Sequence, residues 1–139
     1  MAASIKPRIE VGAGLVFRTG RLLITQRPPG CHLAGFWEFP GGKRELNESF
    51  ESCIEREIHE ELGIRVQART WLTSVSHTYP TKIVQLEFYI CDWLSGEPLA
   101  LECSDFRWLD REDLGGFIFP EADLAVIELL RSRTDLWER

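Results

Sequence analysis

Apolar residues in this chain fall mostly in short blocks suited to strands, with two stretches at helical spacing. Ile9 to Phe17 is apolar with Gly12 and Gly14 embedded, and predicts a strand. Thr19-Gly20 offers a turn, and Arg21 to Gln26 returns as a second strand, so the pair predicts a hairpin. Pro28-Pro29-Gly30 forces a loop, and Trp37 to Phe39 suits a short strand that Pro40-Gly41-Gly42 breaks. Ile54, Ile58 and Leu62 then recur every four residues, the spacing of a helix face turned to a core. Asn47 or Ser49 can cap the start of that helix, and Gly63 sits where a left-handed residue ends one.

The second half repeats the logic. Arg65 to Ser76 and Lys82 to Leu94 predict a long antiparallel pair joined through His77-Thr78-Tyr79-Pro80. Phe106 to Leu109 is a short strand, and Asp110 can cap a brief turn at Arg111 to Leu114. Pro120 suits a first helical position, and Glu121 to Arg133 predicts a final amphipathic helix. Strands before, between and around two helices imply a mixed sheet packed on both faces, which is an α/β or α+β class.

The first helix is unusual in its polar residues. At about 100° per residue, Glu57, Glu60 and Glu61 span an arc of roughly 100° beside the apolar stripe. Acids crowded on one helix face repel unless a cation sits among them. Three carboxylates at the edge of a buried face would offer oxygen ligands to a hard divalent cation such as Mg²⁺. The plain alternative is a solvated acidic face with i,i+4 pairing.

The flanking residues decide between these two. Gly42, Glu48, Arg56-Glu57-Ile58, Glu60-Glu61 and Gly63-Ile64 fill every fixed position of the Nudix box, so the chain resembles the Nudix hydrolases. Leu22 to Lys43 and the later FPEADLAVIELL stretch are similar to MutT-type nucleotide pyrophosphohydrolases, which extends the resemblance over nearly the whole chain. That resemblance implies an α/β/α sandwich with a mixed β-sheet. It also implies hydrolysis of a nucleoside triphosphate to the monophosphate and pyrophosphate, with an oxidised guanine nucleotide such as 8-oxo-dGTP preferred. A CTP or modified-pyrimidine pyrophosphatase is the alternative, and a nucleotide-sensing Nudix domain without hydrolysis a more distant one.

By the same resemblance, Glu57, Glu60, Glu61 and the carbonyl of Gly41 would hold Mg²⁺, with Mn²⁺ as a substitute. Arg56 would neutralise and orient the carboxylates, Glu57 first, or be an i,i+4 partner of Glu60. Glu57 and Glu102 are both candidates for the general base. Arg27, His32 and Lys43 would meet the phosphates, Lys82 matches another basic position, and Glu38, Phe39 and Pro40 would line the site. Asp123 stands where bacterial MutT has an Asn that meets the purine; an ionised carboxylate only accepts hydrogen bonds, which suits a base edge bearing N–H or amino donors. It could instead merely charge the first turn of the last helix. Tyr79 would stack on the base, or pack within its loop.

Composition narrows the partners. The 139 residues suffice for one domain with a core and are too few for two, so residues 1–139 are expected to form a single domain carrying the box at 42–64. A net charge of −6 argues against a nucleic-acid duplex as partner, and a small-molecule nucleotide remains compatible once metal and local cations invert the field. Cys31, Cys53, Cys91 and Cys103 are scattered without a C-x-x-C pair and are expected as reduced thiols. The three histidines lack zinc spacing. MAASIKPRIE has no apolar signal core and no run approaches a membrane span, so a cytoplasmic protein with no membrane partner is expected, as monomer or homodimer.

Overall fold

The computed structural model describes residues 5–139; the part of the signal-core reading that falls on residues 1–4 lies outside them. Among the described residues seven strands form one mixed sheet. β1 (Arg8–Arg18) lies at its centre, because its Leu15, Val16, Phe17 block is apolar toward both faces and is covered on both. The predicted hairpin forms: β2 (Arg21–Gln26) returns antiparallel, with Phe17 opposite Leu22. β5 (Arg65–Thr78) and β6 (Ile83–Ser95) make the expected antiparallel pair, and β6 runs parallel to β1 over ten residue pairs. β7 (Asp105–Leu109) adds to the other side of β2.

Two short strands shape the site. β3 (Trp37–Glu38) pairs with Thr25 and Gln26 of β2. The stretch after Pro40 was expected only to break the chain, yet β4 (Gly41–Lys43) is a strand whose residues pair with Val11, Gly12 and Ala13 of β1. Its strand character comes from β1, since three residues of this type have no extended preference of their own.

α1 (Phe50–Leu62) covers one face of the sheet. The Ser49 hydroxyl, not Asn47, accepts from the Ser52 amide at 3.0 Å, and Gly63 closes the far end at φ 73°. Ile54, Ile58 and Leu62 are fully buried against Val16, Leu23, Ile64 and Cys91. α2 (Leu124–Ser132) covers the opposite face with Val126, Ile127 and Leu130, over Leu15, Phe17, Leu22 and Ile24. The architecture is therefore an α/β/α sandwich with a mixed sheet.

The predicted last helix is shorter than its apolar spacing suggests. Pro120 stays extended, Glu121–Asp123 forms a 3₁₀ turn in which the Asp123 amide bonds to the Pro120 carbonyl, and only then does α2 begin. The brief turn after Asp110 is a 3₁₀ segment, Arg111–Gly116. A further 3₁₀ turn, Thr134–Glu138, packs Trp137 edge-on against Phe17 at 5.3 Å. All four cysteines are free thiols. Among the described residues no helix is long and apolar enough to cross a membrane.

Candidate active site

Arg56 organises the acidic face of α1, meeting Glu57 as expected and Glu48 in addition. Its guanidinium forks onto Glu48, with Nε to Oε2 at 2.7 Å and Nη2 to Oε1 at 3.0 Å, and reaches Glu57 at 3.0 Å through Nη1. Nη2 also donates to the Lys43 carbonyl at 3.2 Å, which ties α1 to β4. Glu60 is half-exposed and touches Arg56 only at 3.4 Å. Glu48 is thus a structural acid that sequence reasoning passed over, although its fixed place in the box was a signal. Gly42 leaves room for the Glu57 carboxylate: a Cβ there would displace that carboxylate from its place beside Arg56.

The fork predicts a pH effect on stability. Arg56 and the Glu45 amide hold the Glu48 carboxyl at about 2, below its ordinary 4.5. A depressed carboxyl stabilises the fold fully above 4.5 and loses that contribution as pH falls toward about 2. Glu48→Gln should therefore lower Tm at pH 7, and the gap to wild type should narrow at pH 3. A gap independent of pH would show that the pair contributes through something other than charge.

Glu61 is less exposed than Glu60 and lies next to the fully buried Leu62. Burial, and after it the nearby Glu38 and Glu102 carboxylates, push its carboxyl up to about 7, opposed by the Gly41 amide and the Thr25 hydroxyl. Burial likewise raises Glu57, with Arg56 opposing. Glu102 is an exposed loop residue, yet the loop is fastened to α1: the Leu101 and Glu102 amides donate to the Glu61 carbonyl at 3.1 and 3.3 Å. These bonds satisfy a carbonyl that the helix end leaves unpaired and bring Glu102 within electrostatic reach of Glu57 and Glu61.

These residues fit a divalent cation. Glu61 is a buried carboxylate with two carboxylates near it and no cationic side chain among the groups acting on it, a charge that a metal would neutralise. Among the described residues no three acidic, histidine or cysteine side chains are grouped closely enough to hold a metal ion; Glu57 and Glu60 contact Arg56 at 3.0 and 3.4 Å.

Beside this acidic rim opens a cleft of about 650 Å³ lined by Arg27, His32, Glu38, Phe39, Gly41, Lys43, Tyr79, Lys82 and Asp123, among others. Most of the expected substrate contacts are thereby brought together from four stretches of the chain, 27–32, 38–43, 79–82 and 123. Pro40 is the exception: it is buried outside the cleft, with its carbonyl accepting from the Gly14 amide at 2.8 Å. Arg27 faces the cleft with its charge already engaged, by Glu38 at 3.0 Å and the His32 carbonyl at 2.6 Å. Tyr79 lies edge-on to His77 at 4.6 Å and to His32 at 6.1 Å, with the Lys82 ammonium 5.5 Å from its ring.

Asp123 is the most unusual group in the cleft. Only 7% exposed, it makes no capping bond to α2, so it does not serve the helix start by hydrogen bonding. Burial, then the Glu38 carboxylate, push its carboxyl up to about 7 against the pull of Arg27. Among the described residues no side chain is hydrogen-bonded to this buried carboxyl, which lines the cleft.

The sequence profile of the NUDIX domain matches residues 12–129. The chain belongs to the NUDIX family. An 8-oxo-dGTP diphosphatase of Haemophilus influenzae is 34% identical over 130 residues, covering 93% of this chain and 96% of that one. A CTP pyrophosphohydrolase of Escherichia coli is 32% identical over 120 residues, covering 86% and 89%. The crystal structure of a MutT NUDIX hydrolase from Burkholderia pseudomallei superposes with a TM-score of 0.79 at 29% identity, covering 88% of this chain and 98% of that one. This NUDIX domain is a hydrolase of the MutT type by sequence and by fold, and the stretch so matched includes the box helix, the cleft and Asp123.

Proposed function

We propose that this NUDIX hydrolase cleaves nucleoside triphosphates to the monophosphate and pyrophosphate, prefers an oxidised guanine nucleotide such as 8-oxo-dGTP, and so clears damaged nucleotides from the pool. The observation that carries the proposal is a shared cavity: Asp123, Gly41, Gly42 and Lys43 line one cleft, and Gly42 lies against the Glu57 carboxylate of α1. A base read at one end would set its phosphates at the other.

Glu57, Glu60, Glu61 and the Gly41 carbonyl would hold Mg²⁺, or Mn²⁺ in its place. Bound there, the metal would neutralise phosphate charge and acidify a water near neutral pH. Glu57 or Glu102 takes the proton of the attacking water, and Arg56 holds Glu57 in place. Lys43, Lys82 and His32 offer donors to the phosphates, while Arg27 acts through Glu38, to which it is already bonded. Tyr79 presents an aromatic face to the base, and Phe39 walls the cleft.

A second reading, CTP or a modified pyrimidine triphosphate as substrate, is favoured by Asp123, which as a carboxylate suits the cytosine amino group, and by the CTP-hydrolysing relative. Pyrophosphate release from 8-oxo-dGTP, dGTP, dCTP, CTP and dATP with Mg²⁺ separates the two. Preference for 8-oxo-dGTP supports the first, preference for CTP the second, and release from none of them rejects both.

Asp123 should govern the choice rather than the chemistry. Asp123→Ala should cost about 1–3 kcal/mol in kcat/KM for the preferred base, the scale for leaving a hydrogen-bonding group unpaired. Slow hydrolysis of the other triphosphates should hardly change. Asp123→Asn should shift the preference, because the amide keeps an acceptor and gains donors. Equal losses on all substrates would make the residue structural or catalytic.

A further inference from the structure

We infer that Thr25 is a positioning residue of the metal site, its hydroxyl orienting the Glu61 carboxylate. Thr25 lies in the middle of the sheet, opposite Glu38 of β3 on one side and Phe106 of β7 on the other. It is fully buried, and among the described residues its Oγ1 has no hydrogen-bond partner. A central strand gains nothing from such a hydroxyl: valine has the same shape, a strong strand preference and no polar atom to desolvate. The hydroxyl therefore calls for a reason outside the fold.

Alternation along β2 supplies one. Thr25 shares a face with Leu23, and Leu23 packs with Ile54, Ile58 and Leu62 of α1, whereas Leu22 and Ile24 face the other core. The hydroxyl thus points to the α1 side, where Glu61 lies between the buried positions 58 and 62. Among the groups that act on the Glu61 carboxylate from that side is the Thr25 hydroxyl. The bond is not closed in this geometry. It would close when Glu61 turns one oxygen toward a cation and leaves the other to accept from Oγ1. Held that way, the carboxylate would lose less rotamer freedom on binding metal, the usual role of a group behind a ligand.

This inference rests on the metal reading above, and the test separates the two. Mn²⁺ binding by calorimetry without nucleotide, and Tm without metal, are measured for wild type, Thr25→Val, Thr25→Ala and Thr25→Ser. Thr25→Val should bind Mn²⁺ about 10-fold or more weakly, yet melt no lower than wild type without metal. Thr25→Ala should show the same loss of affinity with a lower Tm, because it leaves a cavity. Thr25→Ser, which keeps the hydroxyl, should stay within a few-fold of wild type. Affinity unchanged in the Val and Ala variants overturns the inference while leaving the metal site intact. Equal loss in Ser and Val also overturns it, since the methyl and not the hydroxyl would then matter. Wild type that binds no Mn²⁺ overturns the metal reading itself, and Thr25 with it.

Discussion

Glu61→Gln should lower kcat by about 10²-fold or more, since charge stabilisation through a bound metal is worth several kcal/mol and each 1.4 kcal/mol is tenfold. The fold should survive, because the amide replaces the carboxylate atom for atom. Stability gives a second readout. The Glu61 carboxyl is raised to about 7 from its ordinary 4.5, so the metal-free native state holds more protons than the unfolded chain between those values. Stability contributed by the protonated form is full below pH 4.5 and lost as pH rises through about 7. Glu61→Gln removes that loss. Its Tm without metal should exceed wild type at pH 8, with a smaller difference at pH 5. A variant that keeps more than about a tenth of wild-type kcat, against that expected loss, would sink the assignment of Glu61 as a ligand.

Glu102→Gln should also lower kcat by about 10²-fold or more with a modest effect on KM, if Glu102 takes the proton of the attacking water. If the residue instead binds metal, raising the Mg²⁺ concentration should recover much of the loss. The fastening of its loop to the Glu61 carbonyl makes both outcomes chemically accessible, because the backbone of Glu102 is held against the end of α1. Activity equal to wild type at every Mg²⁺ concentration would leave Glu102 a loop acid and move the proton to Glu57.

Strand order explains why some of this was legible beforehand and some was not. The hairpin at Thr19-Gly20 and the β5–β6 pair join neighbours in sequence through short turns, so local pattern was enough. The parallel pairing of β1 with β6 joins residues far apart, and nothing in either strand names its partner. β4 was missed because its three residues become a strand only by pairing with β1. The last helix came out shorter because Asp123 bonds back to Pro120, a 3₁₀ contact that apolar spacing does not register.

The site divides the same way. The Nudix box specified the acidic helix, the glycine that caps it and the family, because those relations run between residues within a few turns of each other. Arg56 meets Glu57 as expected, and folding adds what the motif alone does not show, Glu48 in the fork of its guanidinium. The engagement of Arg27 by Glu38 required β2 and β3 to pair.

From the sequence alone came the mixed sheet with two helices, the carboxylate stripe beside Ile54, Ile58 and Leu62, and the candidates for phosphate and base. Each follows from periodicity or motif spacing, which are properties of the chain. Tertiary structure alone decided which carboxyls become costly to ionise. Glu61 and Asp123 are raised mainly by burial, and burial is imposed by strands and loops distant in sequence. It also decided that Thr25 is an orphan hydroxyl rather than an ordinary strand residue, because only the packing of α1 and β7 around β2 removes it from water.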